Sequence, residues 1–267
     1  MSVRWDPQQY AKFADHRGRP FTDLLARVGA EHPSVVVDLG CGNGPLTLSL
    51  AQRWPGATVV GVDQSPQMLE AARGLDVDSR VEWVQADVRA WDPRSLAAPP
   101  DVLVTNATLQ WVPGHVELLV QWAQSLAPGG WLAMQVPGNL EAPSHALMRE
   151  VAASHPAAER LEPALRRLAV EAPARYVELL AGAGLAVDGW ETTYQHVLDP
   201  LGQQENPVLE WVRGTGLRPV LDTLTDEAER TAFLAEYDAR LRTAYPRTSV
   251  GVIFPFRRVF CVAHRPA

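Results

Sequence analysis

Short runs of β-branched and aliphatic residues alternate, through the first half of the chain, with segments whose apolar positions recur every three to four residues. This is the pattern of strands alternating with helices. Ser34–Leu39 (SVVVDL), Ala57–Asp63 (ATVVGVD), Val81–Asp87 (VEWVQAD), Asp101–Asn106 (DVLVTN) and Trp131–Val136 (WLAMQV) read as five strands. After the first, Pro45 suits a first helical position, and Leu46, Leu50, Ala51 and Trp54 share a helical face until Trp54-Pro55-Gly56 ends it. Ser65-Pro66 predicts an N-cap and first helical residue, with Met68, Leu69 and Ala72 facing inward. His115–Leu126 predicts a helix stopped by Pro128-Gly129-Gly130. Five such steps predict an α/β fold, doubly wound around a mostly parallel sheet.

Pro173–Ala183 reads as a further helix, leading through Gly184 to a strand at Ala186–Tyr194, and Arg258–His264 as the last strand, for seven in all. Between these two strands, residues 197–252 read as a helical insertion without a core of its own. Asn206-Pro207 caps a short helix, Gly214-Thr215-Gly216 breaks it, and a longer amphipathic helix spans Asp226 to Ala244 with Phe233, Tyr237 and Leu241 inward. We therefore expect a single domain over residues 1–267. It divides into an N-terminal helical lid (1–30), a core (31–137) and a second half (138–267) that carries the insertion.

A chain of 46% hydrophobic and 21% charged residues has the composition of a globular protein. Its net charge of −7 offers no basic field for nucleic acid. The two cysteines, Cys41 and Cys261, form no CxxC, which speaks against a disulfide framework and a zinc-thiolate site; no histidine-carboxylate motif suggests another metal. No window approaches a membrane span and the start lacks a signal-peptide run, so the expectation is a cytoplasmic, soluble protein with no membrane contact and no obligate protein partner. The basic residues are 23 Arg and one Lys, Lys12, a bias consistent with codon usage from which no function follows.

Chemistry enters at Gly40-Cys41-Gly42-Asn43-Gly44, between the first strand and its helix. Such a turn lets a ligand approach the backbone and meet helix N-terminal amides. Asp63, at the tip of the second strand and 23 residues after Gly40, stands where a carboxylate grips both ribose hydroxyls. Together they point to a nucleoside cofactor. The turn is GxGxG with Pro45 following, so it misses the GxGxxG dinucleotide template. Asp38, just before the turn, would repel a pyrophosphate but accept a hydrogen bond from an ammonium group, which favours a cofactor with an amino-acid end.

Val37-Asp38-Leu39-Gly40-Cys41-Gly42-Asn43-Gly44, Gly61-Val62-Asp63-Gln64-Ser65, Gln85-Ala86-Asp87-Val88 and Leu126-Ala127-Pro128-Gly129-Gly130 together resemble the class I S-adenosylmethionine-dependent methyltransferases. Trp5-Asp6-Pro7, Asn106-Ala107-Thr108-Leu109-Gln110-Trp111, Leu147-Met148-Arg149-Glu150-Val151, Thr192-Thr193-Tyr194, Thr215-Gly216-Leu217-Arg218-Pro219 and Phe254-Pro255-Phe256-Arg257-Arg258 narrow the resemblance to the trans-aconitate 2-methyltransferase family. Gly138 departs from it, standing where a polar residue is expected. The resemblance implies a Rossmann-like, seven-stranded sheet whose last strand is antiparallel. It also implies S-adenosyl-L-methionine as cofactor, S-adenosyl-L-homocysteine as product, and a monomethyl ester of trans-aconitate or a similar small tricarboxylic acid. By the same resemblance Asp38, Gly40 and Gly42 hold the methionyl end, and Asp63 holds the ribose with Gln64 and Met68 beside the adenine. Asp87 and Val88 meet the adenine edge, and Asn106 and Ala107 lie near the methionyl group.

A carboxylate nucleophile, with a pKa of roughly 4, is ionised at neutral pH and requires no general base. A small polyanionic acid approaching an acidic protein requires local cations. The matched segments offer Arg149, Arg218 and Arg258, with His145, Tyr194 and His196 as neutral donors, Tyr10 and Arg17 from the lid, and Trp111 as a wall. The competing functions are methylation of an apolar carboxylic acid or another small molecule, a nicotinamide oxidoreductase, and a non-catalytic module that binds S-adenosylmethionine.

Overall fold

The apolar runs form strands that hydrogen-bond in the order β3-β2-β1-β4-β5-β8-β6: β1 Val35–Leu39, β2 Thr58–Asp63, β3 Val81–Gln85, β4 Val102–Asn106, β5 Trp131–Pro137, β6 Ala186–Leu198 and β8 Gly251–His264. A computed structural model describes residues 14–165 and 170–267, with side chains from residue 18 onward. β1 to β5 pair in parallel, and β8 runs antiparallel to β5. The sheet has eight strands instead of seven, because Arg247–Thr248 (β7) adds a short pairing to β8. The strand order reverses between β1 and β4, and in open α/β sheets ligands bind outside the carboxyl ends at such a point.

Among the described residues the α-helices are α1 Ala14–Leu25, α2 Pro45–Arg53, α3 Pro66–Leu75, α4 His115–Ser125, α5 Pro143–Ser154, α6 Ala158–Leu161, α7 Pro173–Gly182, α8 Pro207–Arg213, α9 Arg218–Thr223 and α10 Glu227–Ala244. Local chemistry accounts for several starts. Ser65 accepts the Met68 amide ahead of α3, Asn206 the Leu209 amide ahead of α8, and Asp226 two amides ahead of α10.

Two compact units divide the chain. The sheet unit comprises residues 14–137, 168–192 and 258–267, and the helical unit takes 138–167 and 193–257. In the sheet unit Val37, Leu39, Val60, Val62, Leu103, Leu132, Met134, Val136, Val259 and Cys261 cluster with Trp122 of α4 and with Tyr176 and Leu180 of α7. Side chains alternate across a strand, so Asp38 and Gln135, each between two of these positions, and Asn106, three residues on from Leu103, lie on the opposite face.

The helical unit corrects one expectation: it has its own buried cluster. Met148 and Val151 of α5, Trp211 of α8, Phe233, Tyr237 and Leu241 of α10, and Phe254 and Phe256 of β8 pack there. Its boundaries also shift, because β6 continues to Leu198 and β8 begins at Gly251, so the insertion read as 197–252 starts and ends in strand. Val252, Phe254 and Phe256 are buried while Ile253 and Pro255 face out, a period of two that Pro255 disguises because proline lacks a ladder donor. Among the described residues no helix is long and apolar enough to cross a membrane.

Candidate functional site

The glycine turn between β1 and α2 makes three different demands on its glycines. All three adopt positive φ: +80° at Gly40, +56° at Gly42 and +92° at Gly44. A Cβ on Gly40 would lie 2.1 Å from Thr108 Oγ1, so that glycine permits a close approach of the segment after β4. A Cβ on Gly44 would meet Ala72 of α3 and the Trp83 ring, each at 2.8 Å. Gly42 has nothing within 4 Å of that position; the space in front of it is open. Cys41, between them, is buried and its thiol is pushed far above the ordinary range by burial and by Asp38 and Asp63.

Two carboxylates flank this turn. Asp38, on the central strand, is 3% exposed and accepts a 2.7 Å hydrogen bond from Thr47 Oγ1 of α2. Burial pushes its pKa up to about 7; the Thr47 bond opposes the rise and Asp63 adds to it. Asp63, at the tip of β2, accepts the Gly42 amide at 3.0 Å on one oxygen and the Ser65 amide at 2.8 Å on the other. Burial raises its pKa, against the pull of these backbone donors. Asp63 therefore holds the turn in shape as well as facing it.

The remaining cofactor candidates divide. Gln64 is exposed at the tip of β2, and Met68 is buried on α3. Asp87 falls two residues beyond the end of β3, where its carboxylate pairs with Arg89, which holds it below the usual carboxylate range. The Val88 side chain joins the sheet-unit core. Asn106 ends β4, with its Oδ1 buried and unpartnered. Ala107 takes a φ of 54°, uncommon for a residue with a Cβ, and is tied down by its amide to Gln135 O at 2.9 Å and its carbonyl from Gln110 Nε2 at 2.6 Å. Asp38, Gly40, Gly42, Asp63, Asn106 and Ala107 thus gather at carboxyl ends of β1, β2 and β4.

The acceptor candidates are distributed over both units. In the helical unit Arg149 lies one turn beyond His145 on α5, and it donates to Leu140 O at 2.7 Å and to Glu141 at 3.3 Å. Burial, with the Arg149 charge, pushes His145 down to about 4, so its ring is neutral at pH 7. A Cβ on Gly216 would lie 3.1 Å from His145 Nε2; two residues on, Arg218 opens α9 with a buried, unpartnered Nε. His145 and Arg149 thus share α5, and the turn that precedes Arg218 packs against His145. Tyr194 and His196 are buried and stack on one another, and His196 stacks on Trp211, so they belong to an aromatic layer of the helical core. Arg258, buried on β8, and Trp111, half-buried after β4, belong to the sheet unit. Tyr10 lies outside the described residues, as does the side chain of Arg17.

Sequence reasoning missed Thr47 and Thr108, the partners of Asp38 and Gly40, and Gln135. The last had a signal: it is the polar residue in an otherwise apolar strand, WLAMQV. It also missed the clamp on Ser144, whose amide donates to Tyr245 at 3.0 Å while Tyr237 donates to its carbonyl, fixing the first turn of α5 beside His145.

Residues 36–130 match a family described as a methyltransferase domain. The whole chain is similar to the trans-aconitate 2-methyltransferase of Streptomyces avermitilis, 53% identical over 270 residues that cover 98% of this chain and 97% of that one. It is similar also to that of Rhodococcus jostii, 50% identical over 262 residues that cover 97% and 98%. Among solved structures, a phosphoethanolamine N-methyltransferase 2 from Haemonchus contortus, in complex with phosphomonomethylethanolamine and S-adenosylhomocysteine, superposes with a TM-score of 0.55 over 93% of this chain and 53% of that one. At 14% identity that likeness concerns the fold.

Proposed function

Because the chain belongs to the trans-aconitate 2-methyltransferases, we propose that it transfers the methyl group of S-adenosylmethionine to a carboxylate of trans-aconitate, giving a monomethyl ester and S-adenosylhomocysteine. The observation that carries this reading is identity of about half over nearly the full length of such relatives. The residues present fit the cofactor. Asp38 is a buried carboxylate with Thr47 as its donor among the described residues, and so retains lone pairs for an ammonium group. The open space before Gly42 admits a ligand to the backbone, and Asp63, at the tip of β2, has the sequence spacing from the turn of a carboxylate that meets ribose hydroxyls.

When bound, the sulfonium supplies an activated methyl: a carboxylate oxygen bonds to the methyl carbon as the carbon–sulfur bond breaks, and its electron pair stays on sulfur. No proton moves. The protein's task is placement and exclusion of water. Asp38, Gly40 and Gly42 hold the methionyl end, Asp63 the ribose, and Gln64, Met68, Asp87 and the Val88 backbone the adenine, with Asn106 and Ala107 near the methionyl chain. Arg149 and Arg218 bind carboxylates that do not react, and the neutral His145 ring adds a donor without a second buried charge. Tyr194 and His196 support this set from the aromatic layer. Arg258, Trp111, Tyr10 and Arg17 complete the proposed acceptor residues.

The test is mass spectrometry after incubation with S-adenosylmethionine and a panel of carboxylic acids. A monomethyl ester of trans-aconitate is expected. Esterification of apolar acids, with tricarboxylates untouched, would overturn the assignment.

A further inference from the structure

Gln135 occupies β5 opposite Asn106 of β4 and Phe260 of β8. It is 1% exposed, and neither its Nε2 nor its Oε1 has a hydrogen-bond partner. Native proteins rarely leave both ends of a buried amide unpaired, because the desolvation of each is then uncompensated. Alternation carries Gln135 to the sheet face of Asp38 and Asn106, away from Met134 and Val136, which fill the apolar cluster. Asn106 Oδ1, its neighbour in register, is likewise buried and unpartnered. The unpartnered Gln135 amide and the unpartnered Asn106 Oδ1 therefore stand on neighbouring strands in register, near the carboxyl ends of β4 and β5.

We propose that Gln135 is a substrate-contacting residue whose Nε2 donates to the acceptor carboxylate that takes the methyl group. This rests on the carboxyl-methylation reading above. Strands in a sheet stand about 4.8 Å apart, so β5 lies about 10 Å from β1, on the far side of Asn106 from Asp38. The proposed cofactor residues lie on or just after β1, β2, β3 and β4, which leaves β5 for the acceptor. A neutral amide suits the reacting group in particular. An arginine fork would stabilise the carboxylate before reaction as strongly as it could help later, and would set a positive charge beside a sulfonium. An amide holds one oxygen in line and leaves its electrons available to the methyl carbon, whose bond to sulfur breaks as the ester bond forms. The unpartnered Oε1 repels a second anionic oxygen and so orients the carboxylate in one sense.

Gln135→Leu separates a positioning role from a structural one. Replacing an unpaired buried amide by an apolar group of similar shape is neutral or stabilising for the fold. The expected variant binds S-adenosylhomocysteine as the wild type does in calorimetry and melts at the same temperature or higher. With trans-aconitate at saturating donor, kcat falls about tenfold or more, and the ratio of ester regioisomers in the product, read by NMR, shifts. Wild-type kinetics and an unchanged regioisomer ratio in that variant overturn the proposal while leaving the esterification standing. A wild-type protein that esterifies no carboxylic acid overturns the functional reading, and this inference with it. Gln135→Glu covers the case in which the leucine variant does not fold. It keeps the shape but sets an anion against an anion, so turnover should collapse at neutral pH and recover as the pH falls. An unchanged KM and kcat for Gln135→Glu at pH 7 overturn the proposal.

Discussion

Gly40 and Gly42 share a backbone conformation but not a reason for it, and substitution should tell them apart. Alanine at Gly40 drives its Cβ into Thr108, so the turn must move. A loss of several kcal/mol in urea unfolding, with cofactor affinity abolished, is the expected result. Alanine at Gly42 meets open space and costs only the left-handed conformation, roughly 1–2 kcal/mol. Its effect should fall on ligand affinity, where a methyl group occupies the approach to the backbone. Asp38 adds a dependence on pH. Its folded pKa, raised to about 7 mainly by burial, exceeds the unfolded value near 4. The stability this group contributes is therefore complete below about pH 4 and lost as the pH rises towards 7, at up to about 1.4 kcal/mol per unit. Cofactor binding should run the other way: an ammonium group favours the ionised carboxylate, so affinity for S-adenosylhomocysteine should rise from pH 6 to 7.5 with release of a proton. Asp38→Asn should flatten both curves in calorimetry and thermal melts. Retention of the wild-type affinity profile in that variant would remove Asp38 from the methionyl site.

At the scale of elements, what could be read in advance was what local chemistry decides. Pro45, Ser65, Asn206 and Asp226 announced their helices because a cap or a fixed φ acts within a few residues. The turn and Asp63 could be placed because each follows directly from the end of an apolar strand pattern. What escaped depends on partners distant in sequence: Thr108 against Gly40, the two tyrosines on Ser144, and the aromatic side chains that give the helical unit its core. Gln135 stood in plain view as the polar residue of an apolar strand, yet its burial and want of a partner emerge only in the fold. Asp76 belongs to the same class. Its carboxylate, at the end of α3, accepts the Arg80 and Val81 amides at 2.8 and 3.0 Å and the Trp83 indole at 3.1 Å. Trp83 in turn is the ring against Gly44 and Gly61. Asp76→Ala strands three donors and should cost about 2–4 kcal/mol in chemical denaturation. It should also weaken cofactor binding without touching the cofactor. An unchanged affinity would show that Trp83 keeps its seat without the carboxylate.

For the molecule as a whole, a net charge of −7 and a substrate carrying three carboxylates set long-range repulsion against local attraction. Removing Arg149 or Arg218 should raise KM for trans-aconitate about ten- to a hundredfold while affinity for S-adenosylhomocysteine stays put. Lysine at either position should restore only part, since a point charge replaces a planar fork. Arg94, exposed and paired with Asp92 in the sheet unit, serves as control; equal effects at all three positions would show that the anion site lies elsewhere. The pair of buried thiols offers a different kind of access to the same molecule. Cys41 sits inside the cofactor turn, whereas Cys261 lies in the middle of β8 within the sheet-unit core, its thiol pushed up to about 12 by burial. Neither is reactive in place, so each alkylates only when its surroundings open. Cys41 should label at the frequency with which the turn breathes, and Cys261 at the slower frequency of global unfolding. Two rates from one time course, with bound cofactor slowing the first far more than the second, turn the natural cysteines into a pair of clocks for local and collective motion.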